Sequence, residues 1–250
     1  MRVTHADTQR MMAHLLSQRE NVASYQVTVA AGQTHTIHGL TVSAATTLDW
    51  GDGYQQETTG SGSRSRKYIA AGTYTIKIMQ PGNVTYLDLR DNGAALVLDS
   101  KNLAPMVNIA TLNLISAPTA AATIDLSDLS GWRPTNIQIN NIPLAVFTIT
   151  QESLSGYTGL YTLTLVGCSL GQAQIDSILR GLYLASIAPR TRTNGTINIS
   201  GTGTAAPSGT FQPCQSPPVS SSTPGREIAY ELLNDSLGVG FNKWATVSTN

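Results

Sequence analysis

Between Val84 and Ser200 the chain repeats one short pattern: an aliphatic residue, a polar one and a second aliphatic one. It appears as Leu87-Asp88-Leu89, Leu112-Asn113-Leu114, Ile137-Gln138-Ile139, Leu163-Thr164-Leu165 and Ile197-Asn198-Ile199, whose first residues are 25, 25, 26 and 34 positions apart. A period of two predicts a short strand in each unit, with the aliphatic pair on one face and Asp88, Asn113, Gln138, Thr164 and Asn198 on the other. A coil this small cannot bury an apolar face alone, so Leu87, Leu112, Ile137 and Leu163 are expected to stack one above another in a shared core. A second beat, Leu96-Val97-Leu98, Ile124-Asp125-Leu126 and Phe147-Thr148-Ile149, follows the first three units by 9, 12 and 10 positions. Each turn is therefore expected to carry two apolar rungs.

These units resemble a leucine-rich-repeat array in the irregular form found in bacterial and phage surface proteins. The asparagine that the plainer consensus places after each strand is not regular here, and Asn92 and Asn141 are loose matches. The competing reading is an ordinary β-sandwich with evenly spaced strands. Where the period lengthens, Leu170, Ile175, Ile178, Leu179, Leu182 and Leu184 recur at helical spacing between Ser169 and Ser186, predicting an amphipathic helix.

Ahead of the repeats, Tyr25 to Ile78 alternates apolar and polar residues between glycine-containing turns, which predicts a small antiparallel sandwich. Its expected strands are Tyr25–Val29, His35–Ile37, Leu40–Val42, Thr47–Trp50 and Thr73–Ile78, with His35 and His38 as exposed strand residues. Leu48-Asp49-Trp50-Gly51-Asp52-Gly53 and the later Lys67-Tyr68-Ile69-Ala70-Ala71-Gly72-Thr73-Tyr74 resemble the two signature segments of the PKD domain, an immunoglobulin-like sandwich. The family histidine is replaced, with Arg66 or Lys67 near its place. Within the turn, Gly51 and Gly53 allow backbone angles denied to other residues, and Asp52 can accept hydrogen bonds from neighbouring amides. Turn structure is favoured over calcium ligation for Asp49 and Asp52, because two carboxylates lack a fuller oxygen set.

Thr4 to Glu20 is predicted to be an amphipathic helix with Met11, Met12, Leu15 and Leu16 as its apolar stripe. It either packs on its own domain or serves as a docking arm for a neighbouring subunit. Gly201 to Gly225 holds Pro207, Pro213, Pro217, Pro218 and Pro224 and is expected to be a long loop, either exposed or wrapped along the repeats. Arg226 to Asp235 then predicts a short helix and Phe241 to Val247 a final strand, together closing the open end of the array. The expected fold class is mainly β, a small sandwich followed by a solenoid with a few short helices and an N-terminal helix. Its segments are 1–23, 24–80, 84–200 and 201–250.

Charge narrows the partners. Fifteen basic and fifteen acidic residues leave no net field, so nucleic acid is not an expected partner. No apolar run is long enough to predict membrane insertion. The N-terminal segment lacks the pattern of a secretory signal peptide, which leaves an intracellular setting, another export route or release by lysis. Cys168 and Cys214, the only cysteines, are expected to be free thiols rather than a disulfide, and no metal or other cofactor is expected.

Candidate chemistry is sparse. Gly167-Cys168-Ser169-Leu170-Gly171 matches the Gly-x-Ser-x-Gly of a nucleophile elbow, yet every histidine precedes it, against the hydrolase order. Asp88, Asp91, Asp99 and Asp125 could supply a glycosidase pair, but solvating the open face of the sheet and capping turns is the favoured role. The expectation is a non-enzymatic bacteriophage virion surface protein, either capsid decoration or tail-associated adhesin. Its expected partners are other virion proteins, copies of itself and host-surface carbohydrate. A bacterial cell-surface adhesin, a glycan-acting enzyme and an internal scaffold are the alternatives.

Overall fold

The computed structural model describes residues 21–90, 94–115, 119–125, 132, 134–142, 146–148, 159–187, 194–239 and 243–250, with backbone alone over 119–125, 146–148 and 185–187. The proposed helix Thr4–Glu20, with Met11, Met12, Leu15 and Leu16, lies outside the described residues, as does Asp91. The protein is mainly β, with two sheets and few helices.

The first six strands are β1 (Ala23–Val29), β2 (Thr34–Val42), β3 (Thr46–Asp49), β4 (Gln55–Thr58), β5 (Ser61–Lys67) and β6 (Gly72–Ile78), all paired antiparallel. Alternation builds β1, where Ala23, Tyr25, Val27 and Val29 are buried. The two segments expected at His35–Ile37 and Leu40–Val42 form one strand. Its register shifts between Ile37 and Leu40, which moves the inward face from odd to even positions and keeps Ile37, Leu40 and Val42 all buried. That parity also corrects the placement of His35: it shares the inward face with Ile37 and is fully buried, whereas His38 is exposed. His35 accepts or donates a 2.9 Å hydrogen bond with the Tyr25 hydroxyl and lies edge-on to the Tyr25 and Trp50 rings. Strands β4 and β5 escape the sequence pattern because they are polar, and β5 is held through its backbone pairing with β2.

After the short turn Pro81–Asn83, pairing changes mode in both sheets at once. Strand β7 (Val84–Asp88) is antiparallel to β2 on one side and parallel to β9 (Thr111–Ile115) on the other. Strand β8 (Ala95–Asp99) is antiparallel to β1 and parallel to β10 (Thr119–Asp125). From there the chain alternates between sheets through β11 (Asn136–Asn140) and β12 (Val146–Thr148). Strands β13 (Thr162–Thr164), β14 (Gly195–Ile199) and β15 (Trp244–Thr249) extend only the larger sheet. Among the described residues the result is an eight-stranded sheet ordered β15-β14-β13-β11-β9-β7-β2-β5 and a seven-stranded sheet ordered β12-β10-β8-β1-β6-β3-β4.

The aliphatic rungs meet as their spacing requires. Leu87 pairs with Leu112, Leu112 with Ile137, Ile137 with Leu163, and Leu163 with Ile197, all buried in one apolar cluster that also contains Tyr25, Trp50 and Trp244. The second beat is less regular. Ile124 lies opposite Phe147, but Leu98 lies opposite Ala122, in a ladder whose register shifts between Thr119 and Ala121. Strand β8 ends at Asp99, whose carboxylate caps helix α1 (Ser100–Leu103) by accepting from the Lys101 amide. Helix α2 (Gln172–Ile187) buries Ile175, Ile178, Leu179 and Leu182 in the same cluster, and α3 (Gly225–Asn234) adds Ile228 and Leu232.

Candidate interaction surface

Parallel strands covered on both faces read as continuous apolar runs, but β9 to β15 alternate, so one face of this part of the larger sheet is polar. Register places two rows of side chains across it. One runs Tyr86, Thr111, Asn136, Thr162, Thr196 and Thr246, and the other Asp88, Asn113, Gln138, Thr164, Asn198 and Ser248. The rows repeat at the strand spacing, about 4.8 Å, because each residue is fixed by the buried rung beside it. From β9 to β15 all ten positions are threonine, serine, asparagine or glutamine. A few are tied to neighbours: Asn136 donates to the Thr111 hydroxyl at 3.3 Å, and the Ser200 hydroxyl donates to Asn198 at 2.7 Å. Among the described residues the side chains of Gln138, Thr162, Thr164, Thr196, Thr246 and Ser248 make no hydrogen bond within the protein, and all six are at least partly exposed.

At the β7 end the face changes character. Asp88, expected to solvate the open sheet, is 2 % exposed. It is enclosed by its neighbours two residues away on the same face, Tyr86 and Arg90, and by Asn113 across the ladder. The Tyr86 hydroxyl donates to Asp88 Oδ2 at 3.0 Å, Arg90 Nε donates to the same oxygen at 2.9 Å, and Asn113 Nδ2 donates to the Tyr86 hydroxyl at 3.1 Å. Burial pushes the Asp88 carboxyl up, but bonds from Arg90, Tyr86 and Asn113 outweigh this and hold it below the ordinary carboxylate range. Burial, and then the hydrogen bond to Asp88, raise the Tyr86 phenol. Gly39, opposite Asp88 on β2, makes room for the Tyr86 ring: a β-carbon there would run into Tyr86 Cε1 and lie 3.2 Å from Asp88 Cβ.

The proline-rich loop is wrapped, not free. Arg180 of α2 donates to the Ser220 and Ser221 carbonyls, Ser208 donates its amide to Asp176 at 3.0 Å, and the Ala205 amide donates to the Leu170 carbonyl at 2.8 Å. Two buried carboxylates one turn apart on α3 complete the clamp. Glu231 accepts the Cys214 amide at 2.9 Å and Glu227 the Gln215 amide at 3.0 Å. Gly225 lies so close to Asp176 that any side chain would strike its carboxylate.

The remaining sequence candidates are structural in their contacts. Asp49 accepts the Gly51 amide at 2.9 Å and Asp52 the Tyr54 amide at 3.1 Å, while Arg66 pairs with Asp52 at 2.8 Å and lies 4.2 Å from the Tyr54 ring centre. Arg66 therefore clamps the turn from β5. Tyr68 is buried, stacks on Tyr74 and donates to the Trp50 carbonyl at 2.9 Å. Cys168 and Cys214 are buried free thiols, and burial pushes the Cys168 thiol up to about 11. Ser169 sits at an exposed corner with φ of 55° between β13 and α2. The described histidines, His35 and His38, are four strand positions away in the same sheet, roughly 19 Å by strand spacing. Among the described residues no cluster of three or more histidine, cysteine or acidic side chains could hold a metal ion, and no helix is long and apolar enough to cross a membrane. No family model, curated protein or solved structure matches the chain.

Proposed function

We propose that this chain is a non-enzymatic surface protein, a bacteriophage virion component that docks on the particle and holds out a rigid binding face. The fold reading behind it is a PKD-like sandwich running directly into an irregular leucine-rich solenoid. The turn at Asp49–Gly53, clamped by Arg66 and backed by Tyr68, supports the first half. The 25-residue register of Leu87, Leu112 and Ile137 supports the second.

The observation that carries the functional reading is the uncharged polar face from Thr111 to Ser248, whose reverse side is locked into the core. A face that is fixed underneath and free of internal hydrogen bonds at six positions is pre-organised to meet a partner, so little ordering entropy is lost on binding. Capsid decoration and tail adhesin are both served by such a face. Intact particles treated with protease and probed with an antibody to this chain test the reading. Cleavage while the capsid stays closed is the expected result, and full protection would place the chain inside. Incubation with host polysaccharide should release no reducing ends, and their release would point to a glycan-acting enzyme.

A further inference from the structure

The ten side chains of β9 to β15 on the polar face carry no charge and no large apolar group. A phosphate or uronate polymer would need cations there, and the cation beside the β7 end of the rows, Arg90, is already paired with Asp88 at 2.9 Å. An apolar peptide would find nothing to bury. Hydroxyl and carboxamide groups each donate and accept, which matches a partner whose own groups do both, as sugar hydroxyls do.

The array is also periodic. Register fixes Thr162 beside Thr196 and Thr164 beside Asn198, and continues to Thr246 and Ser248 on β15. A sugar ring in an extended chain advances by close to one strand spacing, about 5 Å, so successive rings can meet successive strands. At one end the part-exposed Tyr86 ring, its hydroxyl held by Asp88 and Asn113, stands in the same row and offers an apolar surface suited to the face of a pyranose. Each strand contributes a shallow contact, so affinity accumulates along the polymer.

We propose that this face binds an uncharged linear polysaccharide lying across the strands, from the Tyr86 end toward β15. The proposal rests on the display reading above and narrows its ligand. Its test is binding of the full chain to neutral oligomers of glucose, galactose, mannose and N-acetylglucosamine, two to six units long, with galacturonic and sialic acid oligomers as acidic counterparts. At least one neutral series should bind with affinity rising tenfold or more from dimer to hexamer. Thr164→Lys and Gln138→Glu should each weaken that binding at least tenfold with an unchanged melting temperature. Thr28→Lys, on the exposed side of the other sheet, should leave it intact. Failure of every neutral series, preference for the acidic oligomers, or full binding by a folded Thr164→Lys protein overturns the proposal. If protease still reaches the chain on intact particles, only the ligand assignment falls.

Discussion

The antiparallel and parallel regions share one core yet are specified in opposite ways. In the antiparallel region each contact is made once: His35 between Tyr25 and Trp50, Tyr68 under the Trp50 carbonyl, Arg66 across the turn at Asp52. In the parallel region one contact is made repeatedly, an aliphatic rung on an aliphatic rung, and leucine and isoleucine already alternate in it at Leu112, Ile137, Leu163 and Ile197. Exchanging one of those for the other should cost under about 1.5 kcal/mol, because volume is conserved and only the branch point moves. No equivalent exchange exists for His35. Repetition makes a region tolerant and extensible, and single contacts make the other a fixed foundation.

Whether the two regions behave as one body turns on Leu87, the rung where the modes meet. It is fully buried, pairs with Leu40 on the antiparallel side and stacks on Leu112 on the other. Leu87→Ala should cost about 2–5 kcal/mol, the usual range for an aliphatic core truncation. Trp50 reports on one region and Trp244 on the other. In urea, single-tryptophan proteins carrying either reporter should lose stability together. A shift at Trp244 with Trp50 unmoved would separate the regions into independent units.

A smaller effect is expected from Gly39→Ala. The added carbon would displace the Tyr86 ring and press on Asp88. Overpacking of this kind costs about 1–3 kcal/mol, read by thermal melting. The same change at Gly82, where a β-carbon meets nothing within 4 Å, is the control and should be close to neutral.

These positions also mark how far the sequence could be read. The rungs were legible because period two and a 25-residue recurrence leave only one face for Leu112 and Ile137 to occupy, and the helix over Gln172–Ile187 was legible from its stripe. Strands β4 and β5 were not, since Ser61–Lys67 contains no apolar residue and exists by pairing with β2. His35 was misplaced by residue type, since its shared parity with Ile37 already puts it on the inward face, where the Tyr25 hydroxyl partners its ring. The polar rows of the face were foreseen in their middle residues. Burial of Asp88 was not, because its enclosure depends on a glycine in a strand distant in sequence. A clue was present in the Tyr86-x-Asp88-x-Arg90 spacing, which puts all three side chains on one side of a strand.

The smallest expected effect is the most diagnostic for that corner. Asp88→Asn keeps the shape and an acceptor but removes the charge, so at neutral pH it should lose the difference between charged and neutral hydrogen bonds, about 1 kcal/mol. The folded carboxyl is held below its ordinary value, chiefly against the upward push of burial, by Arg90, Tyr86 and Asn113. A depressed folded value means the charge contributes fully above the unfolded pKa, about 3.9, and its contribution disappears as pH falls through the folded value. The stability gap between the native and Asp88→Asn proteins should therefore be constant from pH 7 down to about 5 and close below about 4. A gap that persists unchanged at pH 3 would mean that the carboxylate charge is not what holds Tyr86, Arg90 and Asn113 together, and that the seam between the two regions rests on the packing of Tyr86 over Gly39 alone.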